Sequence, residues 1–187
     1  RLLFDYQRSL ARIMHYQDRP GALAVEQFMK NYYRHVKELG LLNEILLQHF
    51  QEALLAPGKS KVTAINRRFQ ARDDFLEVSH NRVFERAPYA MLEMFLLLQQ
   101  HPRLKGVRAQ TIRLLRANLH RIDNKFRQDS ACRSLFMEIL RQSRGITHEL
   151  RRMNAYGVLG AYIPAFGRIV GQMQHDLFHV YTVDEHS

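Results

Sequence analysis

Imidazoles and carboxylates crowd one short stretch of this 187-residue chain: His175, Asp176, His179, Asp184, Glu185 and His186. At this density, such side chains are the ligands that divalent metals take. His175 and His179 stand four apart and share a face if the stretch is helical. A run of hydrogen-bonding residues at a segment end has the same letters. No second ligand cluster lies nearby in sequence, so the pattern fits a half-site completed from elsewhere better than a closed metal site. Other candidates are fewer. Cys132 lies on an apolar helical stripe with Phe136, Ile139 and Leu140, where a core thiol is expected rather than a nucleophile. Gly157-Val158-Leu159-Gly160 has glycines but no preceding strand, and reads as a turn. Arg151-Arg152 is a tandem basic pair whose planar guanidinium forks suit phosphate or carboxylate. The sequence contains no Walker-type loop, Rossmann fingerprint, Cys-x-x-Cys pair or His-Glu-x-x-His motif. No catalytic residue is therefore assigned within it.

The elements that must hold these residues are helical. Leu3, Tyr6, Leu10 and Ile13 recur at helical spacing and predict a helix from Arg1 to about Gln17, interrupted by Arg19-Pro20-Gly21. A long helix follows from about Ala22 to Leu55. Its stripe is Val25, Phe28, Tyr32, Val36, Leu39, Leu42, Leu46, Phe50 and Leu54, with Gly40 marking a bend. Between Ser60 and Arg86 the period changes. Phe69 and Ala71, then Leu76 and Val78, alternate with polar residues on either side of Asp73-Asp74, which predicts a short β-hairpin near 68–79. Pro88 reads as the first residue of the next helix, which His101-Pro102 closes. Further helices are expected over about Val107–Asp123, from Asp129-Ser130 to Gly145, and over Thr147–Asn154. Gly157–Tyr181, rich in Gly, reads as short helices and tight turns. The predicted fold class is all-α, an irregular helical bundle with one small β excursion.

Composition narrows the class. Hydrophobic residues make up 46% of the chain, enough to bury a core. A single cysteine excludes an intramolecular disulfide and fits a reducing, cytoplasmic setting. No apolar run approaches the roughly 20 residues that span a bilayer, and the first residues do not form a secretory signal. The net charge is +10, with 28 Lys+Arg against 18 Asp+Glu. Such a charge invites an acidic protein, a nucleotide or a nucleic acid. The basic residues are spread along the chain without a recognition-helix or single-strand signature, which counts against nucleic acid. Arg1 at the start, and a helix opening at Asp184 at the end, lead us to expect a piece of a longer protein.

Longer strings carry a resemblance. They include Arg1-Leu2-Leu3-Phe4-Asp5-Tyr6-Gln7, VEQFMKNYY over 25–33, LNEILLQHF over 42–50 and the run from Pro88 to Leu115. Two more are FMEILRQSRGITHELRRMNAYGVLGAYIPAFGRI over 136–169 and VGQMQHDLFHVYTVDEH over 170–186. End to end, the chain resembles the bifunctional uridylyltransferase/uridylyl-removing enzymes of bacterial nitrogen regulation, which act on the PII signalling protein. The resemblance implies that residues 1–169 are a helical region following a nucleotidyltransferase domain, and that 170–187 begin an HD-type phosphohydrolase domain. It implies UMP transfer from UTP to a tyrosine of PII at low glutamine, with Mg²⁺, and hydrolysis at high glutamine at a divalent-metal site. His186 matches the first ligand of that site; His175-Asp176 precedes it and is a decoy. Arg151 and Arg152 are expected as contacts to a nucleotide or partner. The alternative is a basic helical module that binds nucleic acid or protein.

Overall fold

A computed structural model describes residues 4–54 and 60–172. These residues divide into two compact units: one holds the residues up to Gly40 together with those from Ile163 onward, and the other is Leu41–Tyr162.

In the first unit, α1 (Phe4–Ile13) ends earlier than its periodicity predicts. His15 takes a left-handed φ of 60°. The Tyr16 N–H then bonds the Ala11 carbonyl and the His15 N–H bonds that of Arg12, each at 3.0 Å. This is a Schellman cap with histidine where glycine is usual, and it stops the helix ahead of Gln17. Helix α2 (Ala24–Leu54) runs unbroken through Gly40 and contributes its first half to this unit. Its start is capped from two sides: Asp18 accepts the Ala24 N–H at 2.7 Å, and Glu26 reaches back to the Leu23 N–H at 3.0 Å. Ala11, Val25 and Met29 are buried, with Tyr16, Phe28 and Tyr33 packed around them.

The second unit contains the predicted hairpin within a larger sheet. Strand β1 (Val62–Ala64) pairs antiparallel with β2 (Phe69–Arg72), and β2 pairs antiparallel with β3 (Phe75–Val78). Asp73 and Asp74 form the two-residue loop with φ of 52° and 66°. Both central residues are thus left-handed, as in a type I′ turn, whose twist suits a hairpin. The outer strands were not foreseen. β1 is three exposed residues with no inward-facing apolar position to mark it, and β4, the residues Gly106–Val107, is too short for a period. β4 joins β3 in parallel after α3 (Val83–Arg86) and α4 (Ala90–Gln100).

Helix α4 is buried nearly all round: Ala90, Met91, Leu92, Met94, Phe95, Leu96, Leu97 and Leu98 lie inside. It begins two residues after Pro88, across a turn in which Met91 donates to the Pro88 carbonyl. The helix expected over Val107–Asp123 is interrupted. α5 (Ala109–Ala117) ends at Asn118, whose amide donates to Leu114 O at 2.9 Å while its oxygen accepts from Arg121 Nε at 2.8 Å. Those side-chain bonds compete with the helical ladder, and a 3₁₀ turn, Leu119–Arg121, follows. α6 (Asn124–Gln128) and α7 (Ser130–Arg141) are capped by Asp123 and Asp129. α8 (Ile146–Tyr156) lies between Gly145 and Gly157, whose φ are 76° and 87°. α9 (Val158–Tyr162) closes the unit, while α10 (Pro164–Ile169) belongs to the first.

Candidate functional site

A recess in the second unit has a volume of about 510 Å³. Pro88 and Tyr89 line it from the start of α4, His120 and Arg121 from the 3₁₀ turn, and Asp123, Lys125, Phe126, Asp129 and Cys132 from α6, α7 and their caps. Its two carboxylates are already engaged. Asp123 accepts the Phe126 N–H at 2.9 Å, and Asp129 accepts the Cys132 N–H at 3.0 Å. That backbone bond is the main reason the Asp129 carboxyl is held below its ordinary range. Cys132 is buried and free. Burial, then the Asp129 charge, pushes its thiol up to about 12. It is therefore a thiol rather than a thiolate near neutral pH, in keeping with the core role read from its stripe. The recess offers polar contacts, but no nucleophile activated by an adjacent base.

Arg151 and Arg152 do not act as a pair. Neighbours in a helix point to different faces, and Arg151 is exposed while Arg152 is half-buried. Arg152 Nη1 lies 2.6 Å from Oε1 of the buried Glu149, and its Nη2 lies 2.9 Å from His148 Nε2. Oε2 of Glu149 is buried without a hydrogen-bond partner among the described residues. Burial raises the Glu149 carboxyl above its ordinary range, against the opposing pull of Arg152. Arg152 is thus committed to the protein's own carboxylate.

Several other cations are similarly engaged. Arg68 clasps Glu93 with Nε and Nη2, each at 2.6 Å, and its guanidinium stands 5.1 Å from the centre of the Tyr89 ring. Arg72 and Arg108 meet on Glu77 at 2.9 and 3.6 Å. The Arg68 clasp fastens the sheet side of the unit to α4. These pairs decide which arginines are committed internally; they leave the excess of positive charge, +10, unchanged.

Gly157 closes α8, and Val158-Leu159-Gly160 open α9, so only the first residue of the stretch read as a turn lies in one. His175, Asp176, His179, Asp184, Glu185 and His186 lie outside the described residues. Among the described residues, no group of three or more His, Cys, Asp or Glu side chains is placed to hold a metal ion. The ligand that the resemblance names, His186, lies among the residues that are not described. Also among the described residues, no helix is long and apolar enough to cross a membrane.

Comparison with known proteins supplies what the recess and the ion pairs do not. Residues 69–162 match the family described as "Uridylyltransferase GlnD third domain", and residues 1–47 match "GlnD PII-uridylyltransferase". These matches define the class, a helical portion of a uridylyltransferase. The whole chain is 62% identical, over 188 aligned residues, to the bifunctional uridylyltransferase/uridylyl-removing enzyme of Nitrosococcus oceani. It is 54% identical over its full length to the proteins of that name from Pseudomonas aeruginosa and Stutzerimonas stutzeri. The chain belongs to the bifunctional uridylyltransferase/uridylyl-removing enzyme family. It spans 21% of the length of those relatives. No solved structure matches it.

Proposed function

We propose that this chain is an internal helical scaffold of a protein that transfers UMP from UTP to a tyrosine of the PII signalling protein at low glutamine and removes it at high glutamine. The observation that carries this reading is the 62% identity to a bifunctional uridylyltransferase/uridylyl-removing enzyme, which extends over all of the chain. The geometry agrees with a scaffold. Glu149, Glu93 and Glu77 are engaged by arginines, Asp123 and Asp129 by helix ends, and the Cys132 thiol is held protonated by burial.

Residues 1–169 form the helical region in this reading, and 170–187 begin an HD-type hydrolytic domain whose first ligand is His186. Mg²⁺ in the transferase and a divalent metal at the hydrolytic site belong to parts outside the described residues; when bound, they supply charge stabilisation at phosphorus. What these residues contribute is a fixed frame, because positioning alone is a large share of phosphoryl-transfer catalysis. The setting is the bacterial cytoplasm, where UTP, glutamine and PII meet.

The test uses the full-length protein with labelled UTP, PII and Mg²⁺. Label is expected on PII at low glutamine, and its release at high glutamine. His186→Ala should abolish release and spare transfer. The isolated chain should do neither; turnover by that chain, or release unaffected by His186→Ala, would sink the reading.

A further inference from the structure

The chain leaves α10 through a built contact with the first half of α2. Val170 has φ −57° and ψ 123°, Gly171 has φ 75°, and the Gln172 N–H donates to the Ile169 carbonyl at 2.8 Å. Together these make a type II turn, which needs a left-handed residue at its third position. Two cations from α2 hold the carbonyls on this exit: Lys30 Nζ donates to Arg168 O at 2.6 Å, and Arg34 Nε donates to Val170 O at 3.2 Å. The turn also presses on the helix backbone. A Cβ at Gly171 would stand 2.8 Å from Lys30 O, 3.0 Å from Arg34 Cγ and 3.4 Å from Arg34 N. Glycine is therefore required twice, for its φ and for the close approach.

This is more fastening than a surface turn needs. Two long side chains give up rotamer freedom to bond main-chain oxygens, and both bonds fall where the helical region ends and residue 170 begins. We propose that Lys30, Arg34 and Gly171 form a positioning clamp that fixes the chain at Gln172, immediately ahead of the residues on which uridylyl removal depends. The clamp rests on the reading of 170–187 as the start of the hydrolytic domain. Its contacts are with main-chain atoms of α2 and of the exit from α10. They act by setting where the following segment starts, so their loss should slow one reaction selectively.

The experiment compares both activities of the full-length protein. A displacement of order 1 Å at a positioning group can cost about a hundredfold. Gly171→Ala is thus expected to lower kcat for removal of UMP from PII by at least about tenfold, with KM changed less than about twofold. Transfer of UMP to PII should stay within about twofold of wild type. The milder double variant Lys30→Met/Arg34→Met should move removal the same way by about threefold to tenfold, the scale of lost hydrogen bonds. Lys30→Arg, which keeps a donor, should stay near wild type.

Unchanged removal in Gly171→Ala and in the double variant, with His186→Ala inactive in removal, overturns the clamp and leaves the functional reading standing. Equal loss of both activities together with a lowered Tm means a merely structural contact, and also overturns it. Removal that survives His186→Ala takes away the functional reading, and the clamp with it.

Discussion

Helix α4 and the second half of α2 are written in nearly the same letters and end in opposite environments. Phe95 is fully buried in α4, while Phe50 is 61% exposed and Leu54 78% exposed in α2. Leu92 is buried; Leu42, Leu46 and Leu47 are exposed. Periodicity separates them only in part. The α2 stripe steps cleanly by three or four residues, the mark of a helix with one face to cover. α4 is apolar all round, the mark of a helix surrounded on every side. Helices α3, α7 and α8 pack against α4 within its unit, with Phe95 against Tyr156 at 6.2 Å and Gln99 bonded to Ile139 O on α7. A stripe identifies which face seeks cover, not whether the cover lies within the same 187 residues.

The largest expected effect tests that contrast directly. Phe95→Ala should destabilise the Leu41–Tyr162 unit by about 3–5 kcal/mol, the cost of emptying a filled aromatic site. Phe50→Ala in this chain should change stability by less than about 0.5 kcal/mol, as at ordinary surface positions. Denaturant midpoints at constant m-value provide the measurement. Equal losses would break the comparison and mean that α2 is as well packed as α4.

A smaller effect lies at Gly157, behind the α4 side of the unit. Its φ is 87°, and an added Cβ would stand 3.0 Å from Leu119 Cδ1. Gly157→Ala should cost about 1–3 kcal/mol through backbone strain in the left-handed region. Gly145→Ala has similar φ but open space around the new Cβ, so it should cost less. The difference between the two variants isolates the contact with Leu119 from the strain they share.

How much of this could be read beforehand follows the same division. The hairpin at 69–78 was legible because alternation and an Asp-Asp turn agree, and both aspartates take the left-handed φ such a turn needs. The start of α7 at Asp129-Ser130 was legible too, and there Asp129 accepts the Cys132 N–H. β1 and β4 were not, because sheet membership there is set by a distant neighbour rather than by their own letters. The end of α5 was missed because Asn118 inside an apolar stripe reads as a tolerated polar residue until its side chain is seen bonding Leu114 O and Arg121. At the candidate site, the core role of Cys132 could be read from its stripe. The pairing of Arg152 with Glu149 follows from their spacing of three on a helix, a signal present in the sequence and overlooked in favour of the tandem Arg151-Arg152. The family was legible in long strings that no single motif contains.

The smallest expected effect is one of slope, and it asks how dry the α4 side is. Glu149 starts α8, which packs against α4, and its carboxyl is raised from 4.5 chiefly by burial, with Arg152 and His148 opposing. Below about pH 4.5 the group is protonated in both the folded and unfolded chains and contributes no pH dependence. Between 4.5 and its higher folded value the folded chain holds the extra proton, so stability falls as pH rises through that window. Above the folded value the loss is complete and constant. Glu149→Gln keeps the shape and an acceptor for Arg152 but cannot ionise. Denaturant midpoints of wild type should therefore decline relative to Glu149→Gln as pH rises from about 4.5. Comparing slopes rather than absolute values removes the altered strength of the Arg152 bond. Parallel pH profiles would mean that water reaches Oε2 and that the face of α8 toward α4 is as wet as the stripe on α2.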